Sequence, residues 1–287
     1  GYVGNWPGVT VEKKQATWRV DKNVTFVDLP GIYSLSPYSP EETVSRDYIV
    51  NERPDAIINL LDVTNLERNL YLTTQVLEAG RPVVVGVNMI DLLKERGDVI
   101  DTKVLSEKLG VPVVEVSALH NTNVTELVKA AIEAGKKDIP AQGPKCFSPE
   151  VETALTKIAE LIADVAPAAL SRWYSIKVFE RDASAIAPLG LSAEKSAQLK
   201  KVISAVEKSR DDAESIITSD RYEWIAMVME AAVKKAPKKL TRSEKIDRIV
   251  TNRILGLPIF IAVMTLVYFL AISTVGTAAT DWVNDNL

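Results

Sequence analysis

Histidine and cysteine each occur once in the 287 residues, as His120 and Cys146. A single thiol excludes an internal disulfide and suits a reducing compartment. One residue of each kind also leaves nothing from which to build a Cys/His metal cluster. No iron site is therefore expected; Cys146 reads as an inert thiol in a linker and His120 as a solvent-facing loop residue. Excess positive charge is missing too. The 34 Lys and Arg against 38 Asp and Glu give a net charge of −4 and a pI near 5.3, which argues against nucleic acid as a partner. Nowhere does the chain contain G-K-[S/T], the end of the Gly-rich loop that cradles phosphates in many nucleotide-binding proteins. Long apolar runs are scarce, with one exception: from Ile254 to Thr280 no side chain is charged.

What the chain does carry is three short motifs, each just past a hydrophobic run. Thr25-Phe26-Val27 leads into Asp28-Leu29-Pro30-Gly31, Val83 to Val87 leads into Asn88-Met89-Ile90-Asp91, and Val113 to Val116 leads into Ser117-Ala118-Leu119. A D-x-x-G alone is expected by chance about once in a chain of this length, given average glycine usage. Order and context give the set its weight, because all three fall where β-branched strands end, the edge at which open parallel α/β sheets bind ligands. The residue types suit a guanine nucleotide. An Asp at a strand end can orient Mg²⁺ through its water shell, and a Gly three residues on lets a backbone N–H approach a terminal phosphate. The carboxylate of Asp91 can accept from both N1–H and the exocyclic amine of guanine, donors that adenine lacks, while Asn88 braces neighbouring loops. The backbone of Ser117, Ala118 and Leu119 then meets the guanine carbonyl oxygen.

Upstream, Gly4-Asn5-Trp6-Pro7-Gly8-Val9-Thr10 reads as a Gly/Pro-punctuated loop ending in a hydroxyl that can ligate Mg²⁺. The run from Val3 to Glu12, together with Asp28 to Leu35 and Asn65 to Thr73, resembles the cytosolic domain of the FeoB family of prokaryotic ferrous-iron transport proteins. Ser219 to Tyr222 and Lys245 to Phe260 resemble that family's helical spacer and its entry into the first membrane helix. The resemblance implies an α/β, Ras-like P-loop GTPase domain, here incomplete because the first strand and the phosphate loop are lacking, then an α-helical bundle and one transmembrane helix. It implies binding of GTP and GDP with Mg²⁺, aided by K⁺. Gly8, Val9 and Thr10 would close over the phosphates, with Thr10 and Asp28 serving the metal. It also implies Fe²⁺ as cargo of the parent protein alone, and regulators or self-association as further partner classes. Ras-like proteins place Gln after the D-x-x-G glycine to orient the attacking water; Ile32 cannot, so slow hydrolysis through other donors is expected.

Punctuation sets the organisation. Residues 1–140 alternate strand and helix signals: strands over Val9 to Val11, Asn23 to Val27 and Ala56 to Leu61, helices over Ser39 to Asn51 and Asn65 to Ala79. A later helical stripe from Val124 to Ile132 is closed by Gly135. Gln142-Gly143-Pro144 breaks the pattern, and Ser148-Pro149 supplies an N-cap with Pro at the first helical position. Helical periodicity then dominates to about residue 236, so 141–236 reads as a helical domain. The Lys/Arg-rich stretch 237–253 reads as a basic juxtamembrane linker that keeps what precedes it cytoplasmic. Residues 254–275, about 22 without charge, suffice to cross a bilayer core that needs about 20.

The reading this supports is a fragment of a GTP-dependent Fe²⁺ transporter of the inner membrane, with a lipid bilayer and guanine nucleotide as its partners. Two other classes share parts of the pattern: a soluble GTPase of ribosome or RNA work, and an interaction module that kept the fold but lost the nucleotide. In the Ras-like topology the lacking strand would lie between the strand ending at Asp28 and the one ending near Asp62. Its two neighbours are therefore expected either to face solvent or to close on one another.

Overall fold

The computed structural model describes residues 2–6, 12–36, 39–234, 247, 249–252, 255–271, 276 and 285. Two compact units result, Gly1–Lys235 and Ala236–Leu287. In the first unit, β1 (Tyr2–Asn5), β2 (Glu12–Thr17) and β3 (Thr25–Asp28) form an antiparallel meander, with Asn5 opposite Glu12 and Lys14 opposite Asp28. Gly4 and Asn5 therefore belong to a strand and not to the expected loop, because their backbones pair with Lys13 and Glu12. The helix expected after Ser39 is α1 (Pro40–Asp47). Ser39 caps it by accepting from the Glu42 N–H, while the Glu42 carboxylate accepts from the Ser39 N–H, and a π-helical turn, Tyr48–Glu52, continues it.

A second, parallel sheet follows. Its strands are β4 (Ile57–Asp62), β5 (Val83–Asn88) and β7 (Val113–Glu115), in the order β4-β5-β7. The uninterrupted valines of β5 are explained by burial on both faces. Val83, Val85 and Val87 join one core with α2 (Leu66–Glu78), whereas Val84 joins another with Val116 and with Leu127 and Ala131 of α5 (Val124–Lys137). Gly135 does not end α5. It lies inside the helix because a Cβ there would come within 3.3 Å of the Asp55 carbonyl oxygen, and close packing overrides the usual glycine stop. Between these strands run α3 (Ile90–Arg96), the short β6 (Val99–Ile100) and α4 (Thr102–Leu109), the last capped by Asp101.

Helices then take over: α6 (Pro149–Ile162), α7 (Ser171–Phe179), α8 (Ala183–Ile186), α9 (Ala193–Glu207) and α10 (Ala213–Ala232). Pro149 opens α6 as expected, but Ser148 makes no side-chain cap. Its hydroxyl instead accepts from Arg210 Nη1 at 2.8 Å, and its N–H donates to Asp220 Oδ2 at 2.8 Å. The helix α10 serves two cores. Ala213, Ile216 and Ile217 pack with α6, α7 and α9, while Ile225, Val228 and Ala232 pack with α2 and the parallel sheet. Where α10 ends, β8 (Val233–Lys234) pairs antiparallel with β6.

The two larger sheets share no ladder among the described residues. Of the two outcomes expected for the neighbours of the lacking strand, they have not closed on one another; a cleft of about 1100 Å³ separates them, lined by β3, β4, α2 and α5.

In the second unit the described helix is α11 (Gly256–Phe269), 14 residues whose large apolar side chains, Leu257, Phe260 and Ile261 among them, are exposed. Among the described residues no helix is long and apolar enough to cross a membrane. Residues 254 and 272–275 of the expected span, and residues 237–246, 248 and 253 of the expected linker, lie outside the described residues.

Candidate functional site

The residues expected to read the base come together where the parallel strands end. β5 finishes at Asn88, opposite Asp62 of β4. Met89 then adopts φ +65°, a left-handed conformation uncommon for a non-glycine residue, and α3 begins at once with Ile90 and Asp91. That reversal brings both motif ends to the loop after β7. The Asn88 side-chain oxygen accepts from the Ala118 N–H at 3.0 Å, and the Ser117 hydroxyl donates to Asp91 Oδ1 at 2.8 Å. Ser117 is buried and exchanges backbone hydrogen bonds with Thr122, which holds Ala118 and Leu119 in a tight loop. Leu119 is 82% exposed and Met89 39%, so apolar surface stands open beside a half-buried carboxylate. A planar base with two donors on one edge suits such a site. His120 lies exposed on the same loop, as expected.

The residues expected on the phosphate side are placed elsewhere. Asp28 is exposed at the end of β3, and Asp28, Leu29, Pro30 and Gly31 line the cleft, whereas Asn88, Asp91 and Ser117 do not. Nothing within 4 Å would meet a Cβ on Gly31, so this glycine is not demanded by packing. Gly8, Val9 and Thr10 lie outside the described residues. Among the described residues no group of His, Cys, Asp or Glu is arranged to hold a metal ion. Ile32 packs against the core of α2 and the parallel sheet, away from any role as a donor.

Several residues absent from the motif reading hold the segment after Gly31. Gln75, buried on α2, accepts through Oε1 from the Leu35 N–H at 2.7 Å and the Ser34 hydroxyl at 3.2 Å. Lys177 of α7 donates to the Ser36 hydroxyl at 3.3 Å while paired with Glu180 at 2.8 Å. Arg46 of α1 donates to the Ser184 hydroxyl of α8 at 2.9 Å. The only available signal was a polar run, Thr73-Thr74-Gln75, in a helix whose periodicity buries it. Deeper, Arg221 of α10 donates through both terminal nitrogens to Glu78 at 2.8 and 2.7 Å, and to Thr74 at 2.8 Å. Burial opposes the charge on Arg221, yet Glu78 outweighs it and holds the guanidinium protonated. Beside this pair Cys146 is buried; burial first, then the Glu78 charge, push its thiol up to about 12, so it stays protonated and inert.

Comparison with known proteins places the chain among relatives. The family model described as ferrous iron transport protein B matches residues 1–131, and that of the FeoB cytosolic helical domain matches 147–234. An Fe(2+) transport protein A/Fe(2+) transporter FeoB fusion protein of Porphyromonas gingivalis is 38% identical over 98% of this chain and 35% of its own length. The Fe(2+) transporter FeoB of Salmonella typhimurium is 36% identical over 96% of this chain and 36% of its own. The chain thus spans about a third of the curated relatives it matches. Among solved structures, a variant NFeoB from S. thermophilus bound to GDP superposes with a TM-score of 0.78 at 43% identity, covering 81% of this chain and 90% of that one. NFeoB from the same source bound to GDP, aluminium fluoride and K⁺ gives a TM-score of 0.73 at 44% identity over 80% and 90%.

Proposed function

Because this chain belongs to the FeoB family of ferrous-iron transport proteins, we propose that it is the guanine-reading, cytoplasmic part and first membrane anchor of a GTP-dependent Fe²⁺ transporter of the inner membrane. The observation that carries the reading is the cluster of Asn88, Asp91, Ser117 and Ala118. In it one hydroxyl fixes the carboxylate and one side-chain amide fixes the loop that faces the base. Guanine offers two adjacent donors to that carboxylate; adenine does not, and a mismatched edge leaves a partly buried charge unsatisfied. GTP, GDP and K⁺ come to this chain by its likeness to solved relatives that bind GDP or carry K⁺. Mg²⁺ would supply charge neutralisation at the phosphates, with Asp28 and Thr10 as the residues offered to it.

Relay to the transport machinery would run through the segment after Gly31, whose contacts with α7 and α8 through Lys177 and Arg46 support it. Residues 1–140 would form the nucleotide domain, 141–236 the helical domain, 237–253 a linker resting on anionic lipid and 254–275 the span. The backbone cradle for the β- and γ-phosphates is absent from these 287 residues, so turnover is assigned to the longer transporter. Family membership favours this over a soluble GTPase of RNA work.

The test is calorimetric titration of GDP into a cytosolic form that includes a phosphate loop. Asp91→Asn should weaken binding by about 2–4 kcal/mol, the worth of a charge-assisted bidentate contact. It should also improve binding of the xanthine nucleotide, which carries a carbonyl where guanine has its amine. Unchanged GDP affinity removes Asp91 from its role.

A further inference from the structure

The smallest sheet among the described residues joins two parts of the chain that lie far apart in sequence. β6 and β8 are two residues each, with Val99 opposite Lys234 and Ile100 opposite Val233. Just beyond, the Asp101 N–H donates to the Ala232 carbonyl at 2.8 Å, so the alternation of an antiparallel ladder makes Val99 and Lys234 a hydrogen-bonded pair. Asp101 thereby serves two elements: its N–H holds the last carbonyl of α10, and its carboxylate caps α4 by accepting from Lys103 and Val104. As a brace for α10 the ladder is superfluous. Val228 and Ala232 already share a core with Ile100 and Leu105, and Val233 closes the helix by donating to the Met229 carbonyl. Val99 is 58% exposed and Lys234 is exposed too, so the ladder buries little, and a two-stranded ribbon of this size is marginal in water. It can open while the cores around it stay packed.

Two routes lead from β6 to the cluster of Asn88, Asp91, Ser117 and Ala118. Along the chain, α3 begins with Ile90 and Asp91 and ends at Arg96. Gly97 at φ +76°, and the Asp98 N–H donating to the Leu93 carbonyl at 3.1 Å, then turn it directly into β6. Across space, the Thr102 hydroxyl at the start of α4 lies 3.5 Å from the Glu115 carboxylate, and the Glu115 carbonyl accepts from Asn123 at 3.0 Å. Ser117 follows two residues later. A ligand that bonds both Asp91 and the Ala118 loop therefore fixes α3 and β7 relative to one another, and with them the place of Asp101. On the far side, β8 ends at Lys234, just before the Lys/Arg-rich stretch 237–253.

We propose that the β6–β8 pair is a clasp, held closed when a ligand ties Asp91 to the loop of Ser117 and Ala118, so that the path of the chain beyond Lys234 depends on that ligand. The ligand is a guanine nucleotide on the reading given above. Because two sites that bias one element do so reciprocally, tension on the chain beyond Lys234 weakens the ligand in turn. This route leaves from the base side and is separate from the segment after Gly31.

The test needs no nucleotide, so its outcome is distinct from that of the guanine assignment. In the whole chain in non-ionic detergent, Lys234→Pro deletes one ladder N–H on the side remote from the cluster. Val233 before it is extended, at φ −115° and ψ 118°, as a residue preceding proline requires. Hydrogen exchange should rise about tenfold at the Asp101 amide and about threefold or more at the Ala118 amide, while the Val85 amide, bonded within the parallel sheet, is unchanged. In the reverse direction, Asn88→Ala frees the Ala118 N–H and should raise exchange at Asp101 about threefold or more. Faster exchange at Asp101 with Ala118 unchanged in Lys234→Pro means a local tie and overturns the proposal. So does an equal rise at Val85, which means general loosening, or an unchanged Asp101 amide in one variant or the other. If Lys234→Pro does not fold, the Asp101 amide in Asn88→Ala decides alone. Unchanged GDP affinity in Asp91→Asn would remove the guanine reading and leave the clasp standing.

Discussion

At Gly80 the backbone takes φ +63°, and a Cβ built there would lie 1.9 Å from the carbonyl oxygen of Ala169. Backbone faces backbone, so no side chain can swing aside. Gly80→Ala is expected to cost about 3 kcal/mol, from left-handed strain plus overpacking, read as a lowered denaturant midpoint. Gly110, also at positive φ but with nothing within 4 Å, should tolerate Ala at the cost of the strain alone, about 1 kcal/mol. At the site, Ser117→Ala removes one hydrogen bond to Asp91 and one neutral acceptor for the His120 N–H. It should weaken guanine binding in a form carrying the phosphate loop by about 1–2 kcal/mol, less than Asp91→Asn. That Asn88, Asp91, Ser117 and Ala118 meet was legible from sequence, because each motif directly follows a strand of one parallel sheet, and strand ends of such a sheet share an edge. Gln75 and Lys177 were not. Their partners lie 40 and 141 positions away, and nothing local distinguishes them from any polar residue on a helix.

The helix α10 is the element that ties the parallel sheet to the helices α6, α7 and α9, and its midpoint carries the two charges that do so. Arg221 reaches Glu78 of α2, with both side chains almost fully buried, while Asp220 reaches Arg210 and the Ser148 N–H at the start of α6. Glu78→Ala leaves a buried guanidinium without its counter-charge and should destabilise the first unit by about 3–5 kcal/mol. Replacing both partners by apolar residues of similar volume should cost far less. A double-mutant cycle in urea separates the two outcomes. Asp220 gives a pH signature. Burial opposes its ionisation, but the Arg210 guanidinium and the Ser148 N–H outweigh burial and hold the carboxyl below its usual value. A depressed folded pKa contributes stability that is present above the unfolded pKa and lost as pH falls through the folded one. The α6–α10 junction should therefore loosen below about pH 4, and Asp220→Asn should remove that part of the acid dependence. Element existence followed from periodicity, but two ends did not. Gly135 stayed inside α5 because Asp55 packs against it, and Ser148 gave up capping for Arg210, both choices made by tertiary partners.

At the scale of the whole molecule, charge placement is what would set the topology of the proposed span. Lys and Arg are dense between residues 234 and 253, and none follows Arg253. That asymmetry should hold residues 1–253 in the cytoplasm and carry Trp282 to Leu287 across. A reporter active only after translocation, fused behind Leu287, should be active, and activity of a cytoplasm-only reporter there would mean that 254–275 does not span. The nucleotide site then poses the sharper question. Asn88, Asp91, Ser117 and Ala118 are assembled into one cluster, yet Asp28 and Gly31 line an open cleft, and the sequence contains no G-K-[S/T]. Base contacts alone are worth a few hydrogen bonds, whereas the phosphate cradle supplies most of the charge-assisted contacts in such proteins. The 287 residues in detergent should therefore bind GTP at least about a hundredfold more weakly than a form with the phosphate loop, and show no turnover, while the helices from Pro149 onward keep their circular dichroism. Micromolar GTP binding with phosphate release by this chain alone would show that another group of residues holds the phosphates. The assignment of turnover to the longer transporter would then fall.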